Sequence, residues 1–163
     1  MPSPGAPISD ASPLIFLARA NELSLLRVVA ETVLVPDAVV EEIRAKGERD
    51  VAVEALRESN WLEIVEPPAP PPEIRQWDLG RGEAAVLAWA WSHRGTLAIT
   101  DDREARRCAR SIQVPLIGTL GVVLKAKSHG LVPAARPVIE RLVDCGMYLS
   151  GHVIDSALAL VGE

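Results

Sequence analysis

The chain has 163 residues, a formal net charge of -5, and 48% hydrophobic but only 4% aromatic residues. That length can bury one sizeable core, which must be built mainly from Val, Leu, Ile and Ala. The acidity excludes non-specific coating of nucleic acid by the whole surface, but not a local basic patch or a site that concentrates cations.

In chain order, the start MPSPGAPISD lacks the basic region and long apolar stretch of a signal peptide. No later apolar run approaches the roughly 18 residues needed to span a bilayer. The expectation is one cytoplasmic domain, residues 1–163, with no membrane contact. Strand-type runs at 6–9, 32–35, 61–65, 96–100 and 114–118 alternate with helical patterns at 13–29, 37–58, 82–93 and 102–112. Helical patterns at 119–129, 133–144 and 151–161 follow, so residues from 131 onward are expected to be C-terminal helices. This alternation predicts an α/β domain with a mainly parallel central sheet.

Punctuation supports the boundaries. Asp37 after Pro36 can cap AVVEEIRAK, and Gly47 can end or interrupt it. Pro133 suits a first helical turn, and Gly146 follows VIERLVDC as a stop. The segment PPAPPP at 67–72 is stiff and extended, and reads as a loop within one domain. Cys108 and Cys145 lack metal-ligand spacing and sit in apolar helical patterns, as reduced core cysteines do.

In open α/β sheets, ligands bind beyond the carboxyl ends of the strands. The first strand ends in Ser9-Asp10, and TLAIT ends in Asp101-Asp102. In AVVEEI, helical spacing puts Val39, Val40 and Ile43 on one face, with Glu42 at its border and Glu41 nearly opposite. Glu83 falls in the first turn of the apolar helix GRGEAAVLAWA. Asp10, Glu42, Glu83, Asp101 and Asp102 thus form a candidate cluster without obvious cationic partners. Such carboxylates repel one another unless a cation neutralises them, and hard oxygen donors suit Mg²⁺ or Mn²⁺. A paired-metal site of this kind hydrolyses phosphodiesters. Each acid also has a simpler role: Asp10 as an N-cap, Glu83 as a first-turn acid, and Asp101 with Glu104 as a D-x-x-E capping pattern. Composition and spacing leave both readings open.

After Asp102, the residues Ala105, Cys108, Ala109 and Ile112 mark one helix face, and Arg103, Arg106, Arg107 and Arg110 nearly the opposite one. That basic face is either simply solvated or a patch for RNA phosphates. Trp61, Trp77, Trp89 and Trp91 offer stacking surfaces, and Trp89 and Trp91 cannot both face one core. GRGEAA lacks the third glycine of a dinucleotide fingerprint, no phosphate-loop motif is present, and His93, His129 and His152 share no ligand spacing. Asp155 in HVIDSALAL reads as a solvated position. A receiver-type phosphoacceptor would carry its acidic pair at the first strand, not the fourth.

The order of these motifs resembles the PIN-domain family, in particular small prokaryotic proteins related to VapC-type toxins. Asp10 in ISDASPLIFLA resembles the first acid of the family, and Glu42 in VPDAVVEEI the second. Glu83 in LGRGEAAVLAWA is similar to the third acid of a subgroup with a G-x-G-E-A element. In LAITDDREAR, Asp102 fits the Thr-x-Asp pattern best, and Asp101 shares or takes its role. IGTLGVVLKAKSHGL and VIERL also resemble that subgroup. The resemblance implies a three-layer α/β/α fold and Mg²⁺- or Mn²⁺-dependent RNA cleavage, with Asp10, Glu42, Glu83 and Asp102 as ligands. Asp101 would support the site, and Thr100 would orient a carboxylate or water. It also implies a homodimer, an antitoxin partner and an RNA substrate. Many VapC-type members carry Asp where this chain has Glu83, which shifts that ligand. A binding module that holds RNA or a protein and cleaves poorly is the alternative.

Overall fold

A computed structural model describes residues 2–163. Five short strands form one parallel sheet: β1 (Ile8–Ser9), β2 (Val33–Pro36), β3 (Leu62–Val65), β4 (Ala98–Ile99) and β5 (Leu116–Ile117). Their order across the sheet is β3-β2-β1-β4-β5. The chain winds outward from β1 to β3, then returns to place β4 against the other side of β1. The strand order therefore reverses between β1 and β4, where open α/β sheets leave a crevice. Asp10 and Asp101 follow the two strands that flank this crevice.

The predicted strands all occur, four of them trimmed and β2 shifted by one residue. Central positions are apolar on both faces because helices cover both: Ile8, Val33, Ala98 and Ile99 are fully buried. Helices α1 (Ala11–Arg19), α2 (Asp37–Arg44) and α3 (Val51–Glu58) belong to the first half. Next come α4 (Pro72–Arg75), α5 (Arg81–Ser92) and α6 (Arg103–Ser111). The chain closes with α7 (Thr119–Ser128), α8 (Arg136–Asp144) and α9 (Gly151–Leu160). Helix α5 packs on β1, β2 and β4 with α4 and α6 beside it, while α1, α3, α7 and α8 pack among themselves on the other layer. The result is the expected three-layer α/β/α arrangement.

The core is aliphatic, as the scarcity of aromatics requires. Ile8, Leu17, Leu34, Ile43, Leu87, Ile99 and Leu142 are among its fully buried side chains. Burying one such residue contributes about 1.5–3 kcal/mol. Cys108 is a buried free thiol whose pKa burial pushes up to about 11, and Cys145 is half-buried and free.

Four local expectations need correction. The helix expected over 37–58 is two helices, broken where Gly47 takes φ +119° and Asp50 caps α3 by accepting from the Ala52 N–H at 2.9 Å. The helix expected over 13–29 stops at Arg19, and a 3-10 helix (Leu23–Val28) follows Asn21 at φ +57°. Asp37 is the first residue of α2 rather than its N-cap, and its carboxylate accepts from the Ala38 N–H. Pro133 precedes α8 instead of starting it; Pro137 occupies the first turn, where its missing N–H costs nothing. The end of 67–72 also initiates α4 through Pro72.

Candidate active site

Asp10 is the innermost of the acids. It leaves β1 as the N-cap of α1, and its Oδ1 accepts from the Ala11 N–H at 2.8 Å. Its Oδ2 accepts from the Thr100 hydroxyl at 3.1 Å, which links the ends of β1 and β4. Asp10 is 2% exposed, and Thr100 is also buried. Burial, then the nearby Glu83 and Glu42 carboxylates, raises the Asp10 pKa to about 7 despite the two hydrogen bonds.

Glu42 and Glu83 close on Asp10 from α2 and α5. The junction is Gly82, in the first turn of α5. A Cβ there would stand 2.7 Å from Glu42 Oε2, 3.3 Å from Asp10 Oδ1 and 3.3 Å from Val39 Cγ2. Only a residue without a side chain lets α5 approach both carboxylates this closely. Glu42 and Glu83 line a cleft of about 320 Å³ with Ala38, Glu41, Gly80, Arg81 and Gly82. Burial raises the Glu83 pKa first, followed by repulsion from Asp102 and Glu42.

The expectation that Glu41 and Glu42 diverge holds in a specific way. Glu41 forms an ion pair with Arg81 at 3.0 Å. Asp10, Glu42, Glu83 and Asp102 have no ion-pair partner among the described residues. Negative charge is thus left uncompensated on one rim, while its neighbours Glu41 and Glu104 are paired.

Asp101 and Asp102 separate sharply. Asp102, not Asp101, is the N-cap of α6, and its Oδ2 accepts from the Ala105 N–H at 2.8 Å. The expected Asp101–Glu104 capping pair therefore does not form; Glu104 pairs with Arg107 at 3.1 Å. Asp102 remains exposed and near enough to Glu83 to raise its pKa. Asp101 turns toward α7, where its two oxygens accept from the N–H and hydroxyl of Thr119 at 2.7 and 2.5 Å. The sequence offered no signal for that choice, because the partner lies 18 residues further on.

The arginines also divide. Arg103 and Arg110 are exposed, and Arg107 lies over the Trp77 ring at 5.6 Å. Arg106 is half-buried, and its Nη1 donates to the Thr100 carbonyl at 3.2 Å, so it is not part of an outward basic face. Arg94 covers the half-exposed Trp91 at 4.3 Å, Arg27 lies 5.8 Å over Trp61, and Trp89 is buried and stacked on His93. His129 ends α7 and His152 lies in the first turn of α9, and neither lines the cleft of Glu42 and Glu83.

Among the described residues, no three acidic, His or Cys side chains are drawn close enough to grip an ion as they stand. The donor set nevertheless fits a hard divalent cation. It is all oxygen, it carries unpaired negative charge, and its innermost member is a desolvated carboxyl that only a cation or a proton can neutralise. A larger groove, about 810 Å³, lies elsewhere and is mainly apolar. Its walls include Leu116, Ile117, Leu120, Leu124, Leu149 and Val153.

No helix among the described residues is long and apolar enough to cross a membrane. No curated protein matches the chain. A family model described as the PIN domain matches residues 6–163. With the parallel sheet, the crevice between β1 and β4 and the acids around it, the chain belongs to the PIN-domain family, whose fold is of the nuclease type and typically works with divalent metal ions.

Proposed function

We propose that this chain is a metal-dependent endoribonuclease whose Mg²⁺ or Mn²⁺ is held by Asp10, Glu42, Glu83 and Asp102. The observation that carries this reading is that carboxylates without ion-pair partners, from four distant segments, act on one another's charge around the sheet's switch point. A divalent cation, when bound, supplies positive charge to the scissile phosphate and acidifies the attacking water. The chain's own contribution is orientation and charge. Thr100 fixes Asp10 through Oδ2, leaving the Oδ1 side beside Gly82 and Glu42. Glu42 and Glu83 line the cleft from α2 and α5, and Asp102 lies near enough to Glu83 to act on its charge. Glu83 is half-buried, so its longer side chain is consistent with a reach into the cleft. Exposed Arg103 and Arg110 can meet RNA phosphates, with Arg107 over Trp77 as a neighbouring stacking surface.

The decisive experiment compares RNA cleavage by the wild type and Asp10→Asn in Mn²⁺. Asparagine keeps the helix cap but removes the charge. Losing several kcal/mol of transition-state charge stabilisation should cut cleavage by about 10³-fold or more. Equal cleavage by both proteins would remove this site from the mechanism.

In its fuller form, the proposal makes the chain the toxin of a toxin–antitoxin pair, acting in the cytoplasm as a homodimer. The apolar groove, flanked by Tyr148 (90% exposed) and Leu160 (80% exposed), is the surface on which a second copy would dock. A second reading, an RNA- or protein-binding module with little cleavage, draws on one observation: Asp102 already spends an oxygen on its own helix cap. RNA binding without Mn²⁺-dependent cleavage by the wild type would favour that module.

A further inference from the structure

We propose that Asp101, Thr119 and Arg106 form a bracket that positions Thr100, and through it the Asp10 carboxylate, from outside the acidic cleft. This role rests on the nuclease reading, but it assigns Asp101 a different task from metal binding.

Both Asp101 oxygens are committed to one residue, the buried Thr119, at 2.7 and 2.5 Å. Thr119 opens α7, whose N-cap, Gly118, has no side chain to satisfy the first free N–H groups. Asp101 supplies that acceptor from the end of β4, and its charge complements the helix dipole. The bracket thereby ties the carboxyl end of β4 to α7. On its other side, Arg106 donates to the Thr100 carbonyl at 3.2 Å. A Cβ on Gly118 would stand 2.7 Å from Arg106 Nη1 and 2.9 Å from Asp101 Oδ1, so both groups press against bare backbone.

Thr100 is held at every polar atom. Its N–H donates to the Ile117 carbonyl at 3.0 Å, and its carbonyl accepts from Arg106. Its hydroxyl donates to Asp10 at 3.1 Å and accepts from the Asp102 N–H at 3.3 Å. The hydroxyl therefore touches the innermost acid and the backbone of the outermost one. A shift at the β4–α6 corner would move this hydroxyl away from Asp10. Asp101 and Arg106 hold that corner from the side away from the cleft.

The discriminating variants are Asp101→Ala, Asp101→Asn, Thr119→Val and Thr119→Ser, with Asp10→Asn as the ligand control. Mn²⁺ affinity is read by calorimetry, RNA cleavage as separate kcat and KM values, and folding by Tm. Asparagine can still accept from the Thr119 N–H and donate to its hydroxyl, so a bracket survives Asp101→Asn whereas a metal ligand does not. Asp101→Ala and Thr119→Val should weaken Mn²⁺ binding about 10–100-fold, the usual effect of removing a group that orients a ligand. They should lower kcat with RNA KM unchanged. Asp101→Asn and Thr119→Ser should stay near wild type. Loss of Mn²⁺ binding in Asp101→Asn, matching Asp10→Asn, would make Asp101 a ligand and overturn the proposal. Wild-type affinity and kcat in Asp101→Ala, with or without a lower Tm, would reduce it to a fold contact and also overturn it. A wild type that neither binds Mn²⁺ nor cleaves RNA removes the nuclease reading and the bracket's role with it.

Discussion

The acidic cleft and the apolar groove are lined by different residues, and their sizes run opposite to their chemistry. The groove holds about 810 Å³ against 320 Å³ for the cleft, yet its lining is mainly apolar, with Tyr148, His152 and Ser156 among its polar members. Asp101 and Arg106 reach its wall, but both are engaged by Thr119 and Thr100. The smaller cleft is lined by Glu42 and Glu83, which have no ion-pair partner, and Glu83 and the adjoining Asp10 both have raised pKa values. Space measures what can be covered by a partner, whereas unbalanced charge marks where a ligand is needed. Two adjacent aspartates divide: Asp102 caps α6 and acts on the charge of Glu83, while Asp101 reaches the groove wall and binds Thr119.

The largest effect that can test this contrast is electrostatic. In the metal-free protein, Asp10 keeps its proton up to about pH 7, whereas in the unfolded chain it titrates near 3.8. Between these values the folded state binds more protons than the unfolded state, so this group's contribution to stability falls as pH rises, by at most about 1.4 kcal/mol per unit. It is fully present below the unfolded pKa and is lost by the time pH passes the folded one. Asp10→Asn should therefore gain on the wild type by a few kcal/mol (~1–4) between pH 4 and pH 8 in chaotrope unfolding without metal. Mn²⁺ should reverse the order at pH 8 by stabilising only the wild type. A constant difference across this range would mean that Asp10 carries no buried charge penalty.

A smaller effect tests the close approach at Gly82. Gly82→Ala should raise helix propensity by up to about 1 kcal/mol, yet push Glu42 and Asp10 away from the α5 backbone. Mn²⁺ affinity should fall about tenfold while Tm holds or rises. A parallel fall in both would show a packing defect instead of a displaced ligand. Smallest in the cleft itself should be the effect of Leu120→Asp in the groove. It should convert the proposed homodimer to a monomer by light scattering and leave Mn²⁺ affinity unchanged. Lost Mn²⁺ binding in a folded monomer would show that the two regions are not separable.

Much of the fold was legible because hydrophobic runs and their periods report burial directly. The runs at 32–35 and 61–65 became β2 and β3 with end shifts of one residue. The break at Gly47 was visible as an option, but the stop at Arg19 was not, since LSLLRV keeps an apolar pattern while winding as a 3-10 helix. The apolar character of 23–28 reports packing, not the hydrogen-bond spacing of the turn.

For the site, the sequence by itself determined which residue types stand at the carboxyl ends of the strands: Asp10 after β1, Asp101 and Asp102 after β4, and Glu42 and Glu83 in helices nearby. It also fixed Thr100 beside them as a candidate for orienting a carboxylate. Only the tertiary structure decided that Asp101 turns to Thr119, that Asp102 caps α6, and that Arg106 folds back onto Thr100 instead of facing solvent. The physical reason is that periodicity and propensity are local. The direction of a polar side chain in a partly buried corner is set by whichever unsatisfied donor or acceptor the fold brings to it.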